Sequence, residues 1–322
     1  MKIIDGHVHV SSTRFLPRSL IEASVRNMTV ALEANGLPGR ENTILELYLS
    51  KLQDHNCDEF VREMNEAGID QAVLLVPDFT FAVKDAELNI AEMIRQHAEI
   101  IERHPGRFYY MCGVDPRWGQ ESVDIFERAV TEQGCSGFKL YPPCGYSPSD
   151  KRLYPYYEVC RAHRLPVLLH TGPTAPLLTF NYSDPMLIDD AAREFDDVSF
   201  ILAHGGVNNI ETSCLLGAYR PNIYIDFSGY AASVDSEGPE NSLRHLFARN
   251  LNHKLIFGTD WPIFKLRGSY KELVAKVIGE EGASDELTEQ QASLVLGGTI
   301  QRLFGPPRTT RAQYGASDDR KR

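Results

Sequence analysis

No apolar run in this 322-residue chain approaches the roughly 20 positions that span a bilayer, so a membrane bundle is excluded. The opening Met-Lys-Ile-Ile-Asp-Gly-His sets a charge and a polar turn where a signal peptide needs its apolar stretch. A cytosolic protein is expected. Cys-x-x-Cys pairs are absent as well. The six cysteines, Cys57, Cys112, Cys135, Cys144, Cys160 and Cys214, read as buried or free thiols of a reducing compartment. Positive charge is in deficit: 33 basic against 44 acidic residues leave a net charge of −11, which argues against a phosphate-backbone partner. No Gly-x-Gly-x-x-Gly follows the first strand and no Gly-x-x-x-x-Gly-Lys-Ser/Thr loop occurs, so the usual nucleotide cradles are missing.

What is present is an ordinary globular composition, 43% hydrophobic and 24% charged. Short β-forming runs recur at Lys2–Ile4, Gln71–Val76, Phe108–Val114, Gly137–Tyr141, Pro166–Leu169, Ser199–Ala203, Asn222–Asp226 and Lys254–Phe257. From the second onward they are spaced by roughly one strand–helix unit. Helical patterns fill the gaps, among them Val123, Ile125, Phe126, Ala129 and Val130, and Ile188, Ala191, Ala192 and Phe195. Alternation of this kind predicts a parallel sheet with helices outside, closed into an α/β (β/α)8 TIM barrel rather than an open sheet.

Two stretches depart from a minimal barrel. Val10–Gly68 is too long for one connection. It joins a polar piece, Ser11–Arg26, to a helix-like one, Thr43–Gly68, and is expected as an insertion over the barrel mouth. Pro306–Arg322 is polar and aperiodic, a tail expected to be disordered. The expected organisation is therefore a barrel over residues 1–305, with its insertion at about 10–68, and a tail over 306–322. Just before the tail, Thr288 and Gln291 form a capping-box pattern opening a last helix through Leu294, Val295, Ile300, Leu303 and Phe304.

The chemistry gathers at strand ends. His7 and His9, at i and i+2 on an extended segment, project to one side and can share a metal ion. His170 closes the fifth run, His204 the sixth, and Asp260 follows the eighth. C-terminal strand ends converge on the face where barrel active sites lie, and ionisable groups there conflict with packing unless they meet a ligand. His55, His97, His104, His163, His245 and His253 fall on helices or loops and read as surface residues.

In their order, Ile-Asp-Gly-His-Val-His, Leu-Leu-His-Thr-Gly, Leu-Ala-His-Gly-Gly and Phe-Gly-Thr-Asp-Trp-Pro resemble the amidohydrolase superfamily. They are most similar to amidohydrolase family 2, which includes aminocarboxymuconate-semialdehyde decarboxylase and several lactone hydrolases. The resemblance covers about residues 1–305. It implies that His7, His9, His170 and Asp260 bind a divalent metal, zinc first and manganese as the alternative, with one or two ions. His204 is then either an acid/base beside the metal or a ligand of a second ion.

Lys139, in Gly-Phe-Lys-Leu-Tyr, stands where two-metal members carry a bridging carboxylated lysine. It reads as that carbamate and metal ligand, as a free ammonium for a substrate carboxylate or oxyanion, or as a packed stem with a solvated head. Arg117 reads as an anion clamp or a surface arginine. Tyr141, Asp226 and Tyr230 are weaker candidates for substrate contact or support, and Arg14 is a speculative carboxylate anchor.

The leading expectation is a metal-dependent hydrolase in which a metal-bound hydroxide attacks a small lactone, amide or ester, Asp260 and His204 handling protons. The alternatives are a non-oxidative decarboxylase of a small aromatic or unsaturated acid, and a non-catalytic metal-binding barrel. The expected partner is a small molecule, a carboxylate among the candidates, with neither nucleic acid nor membrane. Tyr154, Tyr156 and Tyr157 mark a candidate homodimer face.

Overall fold

A computed structural model describes residues 1–232, 238–308 and 310. Eight parallel strands run in chain order around one sheet. They are β1 (Ile4–Val8), β2 (Gln71–Val76), β3 (Phe108–Cys112), β4 (Phe138–Leu140), β5 (Val167–His170), β6 (Phe200–Ala203), β7 (Ile223–Asp226) and β8 (Leu255–Ile256). Each expected run contains or overlaps one of them, so the barrel is the observed architecture.

Between β1 and β2 stand α1 (Arg18–Ala34), α2 (Glu41–Lys51) and α3 (Asp58–Ala67). The outer layer continues with α4 (Ile90–Arg103), α5 (Gln120–Glu132), α6 (Tyr154–His163), α7 (Asp189–Glu194), α8 (Ile210–Tyr219) and α9 (Pro239–Phe247). It ends with α10 (Tyr270–Ile278), α11 (Glu289–Ser293) and α12 (Thr299–Phe304). The two sequence-patterned helices are α5 and α7; the Thr288–Gln291 capping box opens α11, but the single helix expected to run on to Phe304 is broken by a kink at Gly297 and resumes as α12.

Alternation along the strands separates two cores. Val73, Leu75, Tyr109, Met111, Leu168 and Ile201 fill the barrel interior with Ile4 and Ile256, and Ile300 and Phe304 of α12 close that cluster. Leu74, Val76, Tyr110, Phe138 and Leu140 point outward into the layer beneath the helices. The middle residue of β4 thus faces inward, and that residue is Lys139.

The insertion differs from the expectation. Much of the supposed polar piece, from Arg18 onward, is helical, because Leu20, Ile21 and Val25 form a buried stripe that packs with Tyr48 and Leu52. Only part of the insertion nears the mouth. Its last helix, α3, lies against α10 in the outer ring, where Phe60 meets Tyr270 at 5.2 Å. Beyond Thr310 the tail falls outside the described residues, so its expected disorder is not addressed.

β1 begins two residues later than expected and runs into the histidine motif, all five residues buried. A strand reading Ile-Asp-Gly-His-Val tolerates this because its polar groups are satisfied. Asp5 accepts from the His7 and Thr259 amides at 3.1 and 3.0 Å, and from the Thr259 and Tyr270 hydroxyls at 2.6 and 2.8 Å. Closure onto the β8 end follows: the Gly6 N–H donates to Phe257 O at 2.8 Å, Asp260 N–H to His7 O at 2.9 Å, and His9 N–H to Trp261 O at 2.7 Å. A Cβ at Gly6 would lie 2.6 Å from Ile256 and 2.9 Å from Phe257 O, so only glycine permits this approach.

Asp5→Ala orphans several buried donors and is expected to destabilise the fold by about 3 kcal/mol or more. Urea unfolding measures this, and a loss under about 1 kcal/mol would contradict the closure role.

Candidate metal centre

The residues singled out at the strand ends meet. His7 lies on β1, His9 one residue beyond it, His170 at the end of β5, His204 just after β6 and Asp260 four residues after β8. Ligand-capable atoms of His7, His204 and Asp260 all lie within 4.8 Å of one another. His7 Nε2 and His9 Nε2 are each 3.5 Å from Asp260 Oδ1. His170 joins through its ring, 4.8 Å from that of His204. Both His204 and Asp260 hold left-handed backbone, with φ of 61° and 63°. Such conformations in non-glycine residues concentrate at functional sites.

Hydrogen-bond direction decides which nitrogens are free. His7 Nδ1–H donates to Asp226 Oδ2 at 2.5 Å, and His9 Nδ1–H donates to Leu75 O at 3.0 Å. His170 Nε2–H donates to Pro173 O at 2.8 Å, and His204 Nδ1–H donates to Ser228 O at 3.2 Å. Carbonyl and carboxylate oxygens only accept, so the proton sits on the nitrogen facing each of them, and a neutral ring then keeps a lone pair on the other. His7 Nε2 is buried with no hydrogen-bond partner among the described residues, facing the Asp260 carboxylate lone pair to lone pair. Such an arrangement is repulsive until a cation sits in it, and imidazole with carboxylate is a donor set that suits zinc or manganese. The residues fit a divalent metal.

Burial first, then the Lys139 charge and the other imidazoles, hold His7 well below its ordinary pKa. Burial and the His204 charge do the same to His170. His204 is also lowered, by burial against the opposing Asp260 charge. Neutral imidazoles are the ligating form. Burial pushes Asp226 up to about 7 in spite of its hydrogen bonds from Ser228.

Lys139 is 1% exposed, so the solvated-head alternative falls. Its ammonium has no hydrogen-bond partner among the described residues, and burial lowers its pKa to about 8 against the pull of Asp260 and Asp226. The Tyr141 ring stacks on His170 at 4.2 Å, and its hydroxyl lies 3.2 Å from the Thr174 hydroxyl.

Other expectations fare differently. Arg117 is held by Asp115 through Nε and Nη2 and donates to Cys144 O, so its guanidinium is already engaged. Arg14 pairs with Glu87. Tyr230 is packing, its hydroxyl donating to Leu273 O. Tyr156 and Tyr157 are on the buried side of α6, so neither belongs to an exposed aromatic face. All six cysteines are free and buried. Of the supposed surface histidines, His245 and His253 are exposed and three others half-buried, but His97 is 1% exposed. Its ring lies 4.7 Å from that of Phe15, tilted by 54°, and it shares a small pocket with His9, a position that the apolar stripe of α4 had hidden.

Sequence reasoning passed over three residues. Ser228 lies between His7 and His204, and its place two residues after a strand-end aspartate was the available signal. Asp5 stood unremarked two residues ahead of the His-x-His pair. Tyr48, buried in α2, lies near enough to Asp260 for that charge to add to burial in raising its pKa to about 12.

The class these features define is a metal-site barrel. The family model described as amidohydrolase matches residues 4–305, and the chain belongs to that family, whose members are metal-dependent enzymes. No curated protein matches it. Among solved structures, it is similar to 5-carboxyvanillate decarboxylase from Sphingomonas paucimobilis, with TM-score 0.63, 15% identity and coverage of 95% of this chain and 99% of that one. Dihydroxybenzoic acid decarboxylase from a Polaromonas species, with bound manganese and 2-nitroresorcinol, gives TM-score 0.59 and 17% identity over 93% and 97%. A 4-oxalomesaconate hydratase from Rhodopseudomonas palustris gives 0.61 and 16% over 99% and 98%. At these identities the likeness carries the fold. Among the described residues no helix is long and apolar enough to cross a membrane.

Burial lowers the His97 pKa from 6.5 to about 4. Unfolding therefore takes up a proton below pH 6.5. Stability from this group is complete above pH 6.5 and lost as pH falls towards 4, by about 3 kcal/mol in all. His97→Gln, which can still donate to Met93 O, is expected to reduce the drop in unfolding free energy between pH 7.5 and 4.5 by about 2 kcal/mol. An unchanged pH dependence in urea titrations would contradict it.

Proposed function

We propose that the chain is a metal-dependent hydrolase of a small lactone, amide or ester that carries a carboxylate. The observation behind it is the polarity of the site: the imidazoles of His7 and His9 face the Asp260 carboxylate, and Lys139 is a buried donor with no hydrogen-bond partner among the described residues. His7, His9, His170 and Asp260 are the proposed metal holders, with His204 as a further ligand or a base. A divalent cation, when bound, supplies Lewis acidity that polarises a carbonyl oxygen.

The residues supply the rest. No N–H or O–H donates to the Asp260 carboxylate among the described residues, so its oxygens are free to take a proton from an attacking water. The same group then holds that proton for the leaving oxygen or nitrogen. Lys139 pairs with the substrate carboxylate or the developing oxyanion, a role strengthened by Arg117 being committed to Asp115. Tyr141, stacked on His170, walls the substrate on one side.

Decarboxylation is the second reading. A flat Tyr141–His170 stack suits an aromatic acid, and two of the similar structures are named decarboxylases. It needs a proton donor to carbon, however, and the histidine–aspartate cluster is built of acceptors.

Elemental analysis of protein purified in bicarbonate buffer, without added metal or chelator, is expected to give one or two zinc or manganese ions per chain. Chelation is expected to abolish lactone or ester turnover and either metal to restore it; full activity in metal-free protein overturns the proposal. Asp260→Asn should lower kcat by about 100-fold or more. Lys139→Met should raise KM for a carboxylated substrate by about 10-fold or more while sparing an uncharged analogue. Carbon dioxide release from hydroxybenzoates or muconate-like acids, without hydrolysis of the lactone panel, would establish the second reading instead.

A further inference from the structure

We propose that the small pocket beside His9 is a subsite for one hydroxyl group of the substrate, received by Nε2 of His97, and this rests on the hydrolase reading in which His9 helps to hold the metal. The pocket is lined by His9, by Phe15 and Leu16 of the insertion, by Leu75 and Pro77 around the end of β2, and by His97 of α4. His9 and the end of β2 belong to the face on which the metal centre lies, so the pocket adjoins that centre through a shared side chain. Its free volume is about 10 Å³, about what a single oxygen-sized group needs.

His97 has one nitrogen to spare. Its Nδ1–H donates to Met93 O at 2.8 Å within its own helix, and Nε2 has no hydrogen-bond partner among the described residues. The side chain is 1% exposed, with the Phe15 ring at 4.7 Å and the Tyr110 ring at 6.3 Å, so bulk water does not serve it. At pH 7.5 an imidazole is neutral, and with its proton on Nδ1 it keeps a bare lone pair on Nε2. An acceptor left unpaired at this depth is costly, and the group that relieves it must bring an O–H or N–H.

Water is a poor occupant. A buried water makes about three hydrogen bonds, whereas the side chains lining this pocket are hydrocarbon apart from the two histidines. Of these, His9 has its Nδ1–H engaged with Leu75 O at 3.0 Å. A substrate hydroxyl suits the pocket better: it brings one proton for the one acceptor, and its carbon lies against Phe15, Leu16 and Pro77. A ligand that covers the pocket without a hydroxyl leaves Nε2 unpaired, the situation in which a site discriminates most strongly against a deoxy analogue.

The test is titration calorimetry of the full chain loaded with Mn²⁺ at pH 7.5, with acid pairs that differ by one hydroxyl: lactate and propionate, malate and succinate, 3-hydroxyglutarate and glutarate. In at least one pair the hydroxylated acid is expected to bind about 10-fold or more tightly, and in His97→Phe, which keeps a ring and removes the acceptor, that ratio is expected to fall to about 2-fold or less. His97→Met serves if His97→Phe fails to fold by circular dichroism. A ratio unchanged in the folded variant assigns the preference to the metal rather than to His97 and overturns the subsite. So does equal binding, or none, in every pair. Lactone turnover that survives chelation sinks the hydrolase reading, and because calorimetry follows binding alone, the two failures are told apart.

Discussion

A buried carboxylate joins the two ends of the sheet, and the loop that presents Asp260 to the histidines of β1 depends on it. Asp5 is wholly shielded from water, and burial pushes its pKa up to about 6 even though four donors converge on it. A carboxylate in such a place is tolerated only when hydrogen-bonded, and its partners are the His7 amide of its own strand, both polar groups of Thr259, and Tyr270 at the head of α10. Those bonds fix the turn after β8. Trp261, one residue past Asp260, is tied from the other side by its indole N–H to Glu63 of α3. The loop that presents Asp260 is therefore clamped between the first strand and the insertion.

Once the loop is fixed, the site follows from the direction of hydrogen bonds rather than from the mere nearness of histidines. Each imidazole has one nitrogen committed to an oxygen, and for His7 and His9 the other lies 3.5 Å from Asp260 Oδ1. Burial lowers the pKa values of His7, His170 and His204, and the Lys139 charge adds to it in all three. The same low-dielectric setting that would penalise an unpaired lysine makes Lys139 a strong partner for an incoming anion.

Much of this was legible in the sequence. Strand positions could be read because apolar β-forming runs alternate with helical stripes, and the motif histidines with Asp260 sit at strand ends where the barrel gathers them. What escaped notice depended on contacts far apart in the chain. His97 looked like a surface residue because a single histidine within a helix carries no sign of what covers it, and the cover is Phe15, a residue of the insertion. Arg117 looked free, yet its partner was Asp115, two residues away, and only the short helical turn there brings them together. The insertion was misread in its first half, where the buried stripe of α1 is offset by exposed polar residues. Tyr156 and Tyr157 were misplaced for the opposite reason, since aromatic rings on a helix look the same whether they face solvent or core.

Barrel closure also bears on the order in which the chain acquires its properties during synthesis. β1 and its histidines are made first, but the amides, hydroxyls and carboxylate that complete them belong to residues 257–270. A ribosome must have extruded most of the polypeptide before the first strand finds its last neighbour, and contacts of such sequence separation form slowly. Until then His7 and His9 sit at an open sheet edge, without the aspartate that completes their cluster. The cluster of His7, His204 and Asp260 draws its members from both ends of the chain, so it is complete only when the fold is.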